Sequence, residues 1–150
     1  MRPGAVAWIG LRPERRAPMV VVREAHLVPG EGLVGDRWRG RAEGGRQVTL
    51  IAQEDIAAIA SFLGLDAVAP ERLRRNIMVR GTNLLALRGH RFRLGEAILQ
   101  MSGEAHPCSR MEEEFGAGGY NVVRGRGGIT ARVLEAGRVR LGDEVERVDD

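Results

Sequence analysis

The sequence predicts a mainly β protein: a closed or nearly closed β-barrel decorated by a few short helices. Glycine supplies 21 of the 150 residues, well above the usual share of roughly 7%. No low-complexity tract absorbs them, so they belong at many separate turns between short strands. Short Val- and Ile-containing runs recur between those glycines. Only one segment has clear helical periodicity, so strands do not alternate with long helices as a parallel α/β sheet requires.

Residues 5–11 and 19–22 read as strands, apolar and bounded by proline and charge. Residues 29–45 read as a loop rich in Gly, Arg and acid, holding Gly35, Asp36 and Trp38. It exceeds the ordinary connection of roughly 4–6 residues, and long loops often carry function. Residues 47–52 are a strand. Residues 54–63 form the amphipathic helix, with Ile56, Ile59, Ala60 and Leu63 on one face and Gly64 as its stop. Pro70 starts a short helical turn through Leu73. Residues 76–79, 90–94 and 97–101 are strands, punctuated by Gly81, Gly89 and Gly95. Arg91, Arg93 and Gln100 face outward against inward Phe92 and Leu94. Residues 109–115 read as a short acidic helix with Met111 and Phe115 one turn apart, and residues 116–128 as a glycine-rich loop. Strands at 129–134, 138–141 and 144–148 finish the chain, the last two joined by the turn dipeptide Gly142-Asp143.

One domain spanning residues 1–150 accounts for the length. A hydrophobic fraction of 43% and a charged fraction of 29% are those of a water-soluble globular protein. No apolar run approaches the roughly 18–20 residues of a spanning helix, so no membrane partner is expected. The N-terminal apolar stretch is broken by Arg12, Glu14, Arg15 and Arg16 rather than built as a secretory signal. With a single cysteine and no such signal, the cytoplasm is the expected compartment. All 23 basic residues are arginine. Without lysine, pyridoxal phosphate has no residue with which to form an aldimine. The formal charge is only +3 and aromatics are 4% of the chain. Single-strand binding relies on aromatic platforms beside basic grooves, so a nucleic-acid-binding barrel is disfavoured.

Cys108 is the only cysteine, set in His106-Pro107-Cys108-Ser109-Arg110. Alone it can close no intramolecular disulfide and complete no structural zinc site. A buried filler, a nucleophile, a sulfur carrier and a single thiolate ligand to a soft metal remain open. Pro107 marks a chain break. Backbone N–H groups at the following helix start favour the thiolate, while Glu112, Glu113 and Glu114 oppose it.

Four segments together resemble the MOSC family, named for the C-terminal domain of molybdenum cofactor sulfurase. They are Gly35-Asp36 followed by Arg46-Gln47-Val48-Thr49-Leu50; Arg75-Asn76-Ile77; Pro107-Cys108; and Gly127-Gly128-Ile129-Thr130-Ala131-Arg132-Val133-Leu134 leading to Gly142-Asp143. Their order and spacing are similar to the short, stand-alone bacterial members. The resemblance implies a β-barrel whose cysteine engages the pterin-based molybdenum cofactor, as metal ligand or as carrier of its sulfur. The pyridoxal-phosphate domain of the sulfurase has no counterpart here, so sulfur transfer would need a separate donor protein. The alternative it implies is a minimal reductase of N-hydroxylated compounds, fed by an electron-transfer partner.

On that resemblance, Cys108 is the expected metal ligand and catalytic residue. His106 would donate to a metal oxo group or hold the thiolate ionised, or is an ordinary surface histidine. Arg75, Asn76 and Arg126 would receive the pterin edge and its terminal phosphate, with Arg124 a weaker candidate. Asp36 either anchors its loop by bonding its own backbone or contacts the cofactor. Trp38 caps the pocket or packs. Cys108, Arg75, Asn76 and residues 124–128 are expected to converge on one cleft.

Overall fold

A computed structural model of the protein describes residues 2–37, 44–107 and 110–148. Trp38, Cys108 and Ser109 lie outside the described residues. The strands are β1 (Gly4–Leu11), β2 (Val20–Val22), β3 (Glu24–Val28), β4 (Gly32–Leu33), β5 (Val48–Ala52), β6 (Ile77–Arg80), β7 (Arg91–Leu94), β8 (Ala97–Glu104), β9 (Ile129–Glu135), β10 (Gly137–Arg140) and β11 (Glu144–Val148). Strands β1, β6, β5, β9, β8, β7 and β11 form a closed barrel, because β11 pairs back onto β1 at Gly4↔Val145 and Ala5↔Glu144. Closure leaves these strands no open edge. β2 extends the sheet beyond β1, and β10, β3 and β4 make a separate small sheet.

All barrel pairs are antiparallel except β5–β6, where Leu50, Ile51 and Ala52 align in parallel with Ile77, Met78 and Val79. A parallel pair needs a crossover. Helix α1 (Gln53–Phe62) and a 3-10 turn at Pro70–Leu73 provide it.

Strand side chains alternate between faces, and β5 shows why its whole length is buried. Val48, Leu50 and Ala52 join the barrel interior, while Ile51 joins a second cluster outside it. β6 divides likewise, with Ile77 and Val79 inside and Met78 outside. The outer cluster adds Ile56, Ile59 and Ala60 of α1, Met111 of α2 (Arg110–Phe115) and Val123 of α3 (Gly119–Val123). β7 shows the expected alternation, with Phe92 and Leu94 wholly buried and Arg93 exposed.

The structure adds elements to the sequence reading. α3 lies inside the stretch read as loop. Its start is fixed by Glu112, whose Oε1 accepts from the Tyr120 N–H at 2.7 Å and whose Oε2 accepts from the Gly118 N–H at 3.3 Å. β3 falls in residues 23–28, to which the sequence reading assigns no element, although Ala25 and Leu27 are buried between exposed Glu24 and His26. Among the described residues, no helix is long and apolar enough to cross a membrane.

Candidate functional site

The chain enters β6 through Arg74-Arg75-Asn76, and the last two side chains turn into the protein. Asn76 is fully buried. Its Oδ1 accepts from the Thr49 N–H at 3.2 Å and the Thr49 hydroxyl at 3.1 Å. Its Nδ2 donates to the Gly10 carbonyl at 3.2 Å and to Asp36 Oδ1 at 3.1 Å. An amide offers two donors and two acceptor lone pairs, so Asn76 is fully engaged within the fold. It ties β1, β5, β6 and the Asp36 loop together.

Asp36 is buried too, and its carboxylate accepts from Arg12. Arg12 donates from its backbone N–H at 2.7 Å, Nε at 3.2 Å and Nη2 at 2.9 Å. Burial alone would raise the carboxyl pKa. The hydrogen bonds and charge of Arg12, with a further bond from Asn76, outweigh it and hold the pKa below the ordinary value.

Arg75 is buried and gathers backbone from three directions. Nε donates to the Gly127 carbonyl at 2.8 Å, Nη1 to Leu73 at 3.3 Å, and Nη2 to Ala105 at 3.2 Å and His106 at 3.3 Å. The Ala105 N–H also donates to the Gly128 carbonyl at 2.9 Å. A rigid fork of donors suits this task better than the single ammonium of a lysine. One guanidinium thus joins the segment leading into Cys108 to the glycine pair that opens β9.

Gly127 and Gly128 serve that junction through close approach. A Cβ on Gly127 would strike the Ala105 carbonyl, and one on Gly128, at φ +89°, would strike the Leu50 carbonyl. The structure therefore brings together Arg75, Asn76, the 105–107 segment and residues 127–128. The Arg126 side chain goes elsewhere. Its Nη1 donates to the Val122 carbonyl at 3.0 Å and its guanidinium carbon lies 4.5 Å over the Phe62 ring, on the helix layer. Arg124 and His106 are exposed, and Pro107 is buried.

Beside this junction runs a groove of about 350 Å³ lined by Pro18, Met19, Glu71, Arg72, Arg74, Arg110, Met111 and Glu114. Arg110, on the groove wall, follows Cys108 by two positions in the sequence. Arg72 pairs with Glu114 at 2.6 Å and stacks 4.6 Å over the Phe115 ring. Sequence reasoning missed Arg12, Arg74 and Arg110 as site residues. The signal available was their position, Arg74 beside Arg75 and Arg110 just past Cys108. A second cleft, of about 510 Å³ beside α1, is lined largely by apolar residues such as Ile56, Leu65, Val68 and Met78, and carries no convergent charge.

Residues 26–146 match the model of the MOSC domain family. No curated protein matches the chain. Among solved structures, the YUAD protein from Bacillus subtilis superposes with a TM-score of 0.83 at 21% identity, covering 99% of this chain and 98% of that one. YiiM from Escherichia coli superposes at 0.74 with 21% identity, covering 97% and 70%. YiiM from Geobacillus stearothermophilus gives 0.75 with 14% identity, covering 97% and 75%. At these identities the likeness is one of fold.

Proposed function

Because the chain belongs to the MOSC domain family, we propose that it binds the molybdenum cofactor and carries, inserts or sulfurates it through Cys108. The observation that carries this reading is the Arg75 junction. It fixes the carbonyls of Ala105 and His106, three and two residues before the cysteine, while Arg110, two residues after it, walls a groove with Arg72 and Arg74.

The chemistry of that donor set fits an anionic, phosphate-bearing pterin. Among the described residues, no cluster of His, Cys, Asp and Glu could hold a metal ion by itself. A metal here would arrive with ligands of its own and take one thiolate from the protein, which suits a pterin-bound molybdenum centre. When bound, the cofactor supplies a soft metal in a sulfur-rich sphere. Cys108 is the ligand or sulfur carrier. Exposed His106, two residues earlier, can stabilise the thiolate. Arg75, Asn76 and Asp36 hold the walls from within. Arg126, stacked on Phe62, keeps the 124–128 loop against the helix layer. With no lysine in the chain, sulfur would come from a separate donor protein in a reducing cytoplasm.

The test is expression in a host that makes the cofactor, followed by assay of metal and pterin in the purified protein. Molybdenum and pterin should copurify with wild type, and molybdenum should fall in Cys108→Ser. Wild type that carries neither, even after anaerobic reconstitution, contradicts the reading.

A further inference from the structure

We propose that Arg74 and Arg110 form a binding site for a phosphate-type dianion in the groove between Pro18 and Met19, the Pro70–Leu73 turn and α2. This rests on the cofactor reading of the groove and deepens it, and it is tested apart from any metal, because it stands on the guanidinium groups themselves.

Arg74 is held in the left-handed region at φ 60°, ψ 26°, a conformation that side chains beyond Asn, Asp and Gly rarely adopt. Such strain persists where the surrounding structure imposes it, and it clusters at ligand clamps. Its guanidinium is only partly satisfied. Nη1 donates to the Ala17 carbonyl, but Nη2 is sealed from solvent without a hydrogen-bond partner. Nε of Arg37 is buried and unpartnered too. Buried charged donors left unpaired are rare and costly, and each one asks for a missing acceptor.

The local charge balance points the same way. Arg12 pairs with Asp36, Arg72 with Glu114 and Arg16 with Glu113. Arg37, Arg74 and Arg110 form no ion pair among the described residues, and Glu71 is the remaining acid on the groove wall. Burial, then the charges of Arg110, Arg12 and Arg37, press Arg74 below the ordinary guanidinium pKa, with Asp36 opposing weakly. With the Arg74 side chain turned into the groove, a tetrahedral dianion would give Nη2 its acceptor and cancel that repulsion, and forked guanidiniums match phosphate oxygens in pairs. A carboxylate offers fewer oxygens and half the charge, so phosphate is the better match.

The same chemistry could come from a free phosphate monoester or from the terminal phosphate of a pterin cofactor. Thermal unfolding of the full chain should be followed against inorganic phosphate at constant ionic strength set with chloride. The midpoint should rise saturably in wild type and in Arg126→Ala. It should rise equally in Cys108→Ala, which separates this site from the thiol reading. In Arg74→Asn the response should be lost or about tenfold weaker. The phosphate-free midpoint of that variant should be no lower than wild type, since Asn accepts the left-handed backbone. A pterin bearing a terminal phosphate ester, compared with the same pterin dephosphorylated, separates the sources. A response to the ester at lower concentration than inorganic phosphate assigns the site to a cofactor, and equal potency assigns it to free phosphate. No saturable rise in wild type, or an undiminished rise in Arg74→Asn, overturns the proposal.

Discussion

Asp36 joins β1, β6 and the loop after β4 through one buried carboxylate, and that makes the protein sensitive to acid in a defined direction. Arg12 outweighs the burial of Asp36 and keeps its folded pKa below 3.8, the ordinary value. A depressed carboxyl contributes stability that is complete above the unfolded pKa and is lost as pH falls through the folded one. Urea denaturation should therefore show wild type losing stability below about pH 4, with a shallower loss in Asp36→Asn. At neutral pH, Asp36→Ala should cost about 3 kcal/mol, because it leaves Arg12 and the Asn76 amide unpaired. Equal acid sensitivity in the two proteins would contradict this. Arg75, Asn76 and Asp36 were legible in the sequence as unusual residues, since they sit in motifs rather than on an amphipathic face. Their partners were not legible, because bonds such as Asn76 to Gly10 join residues far apart in the chain. Arg74 was hidden by number: among 23 arginines, a solvated face is the ordinary fate.

The short elements are set by backbone contact more than by propensity, and two glycines test this. Gly128 opens β9 at φ +89°, where a Cβ would run into the Leu50 backbone. Gly125 has a similar φ of +80° but nothing within 4 Å of a Cβ. Gly125→Ala should thus cost about 1–2 kcal/mol for the left-handed backbone alone. Gly128→Ala adds a collision that neither strand can yield to, and should cost about 4 kcal/mol or more. Equal losses in chemical denaturation would show that the close approach has no energetic weight. Helix α1 and most strands were legible within a residue or two, because their apolar periods are strong. α3 was not, since Gly118-Gly119 and Asn121 are poor helix formers. The helix depends on Glu112 capping its first N–H groups and on burial of Val123, neither of which has a local signature. β3 did carry a signal, the alternation of Glu24-Ala25-His26-Leu27, but so short a run between a strand and a long loop is assigned to neither.

At the scale of the whole molecule, the barrel was readable in outline from glycine punctuation and short strands, whereas strand order was not. Closure depends on β1 meeting β11 from the two ends of the chain, and no local pattern encodes that pairing. The parallel β5–β6 step was equally silent. That step matters for function, because its crossover carries the chain from α1 through the 3-10 turn into Arg74 and Arg75. One of these side chains then faces the groove and the other clamps the cysteine segment. The barrel thus supplies a fixed wall, and the groove lies on its outside under α2. The central claim is that the protein engages a molybdenum centre through Cys108, and in its metal-ligand form that claim gives the metal one protein sulfur. X-ray absorption at the molybdenum edge of cofactor-loaded protein tests it most directly. The account predicts one fewer sulfur neighbour at molybdenum in Cys108→Ser than in wild type, with pterin still bound. An identical sulfur shell in the two proteins would contradict it.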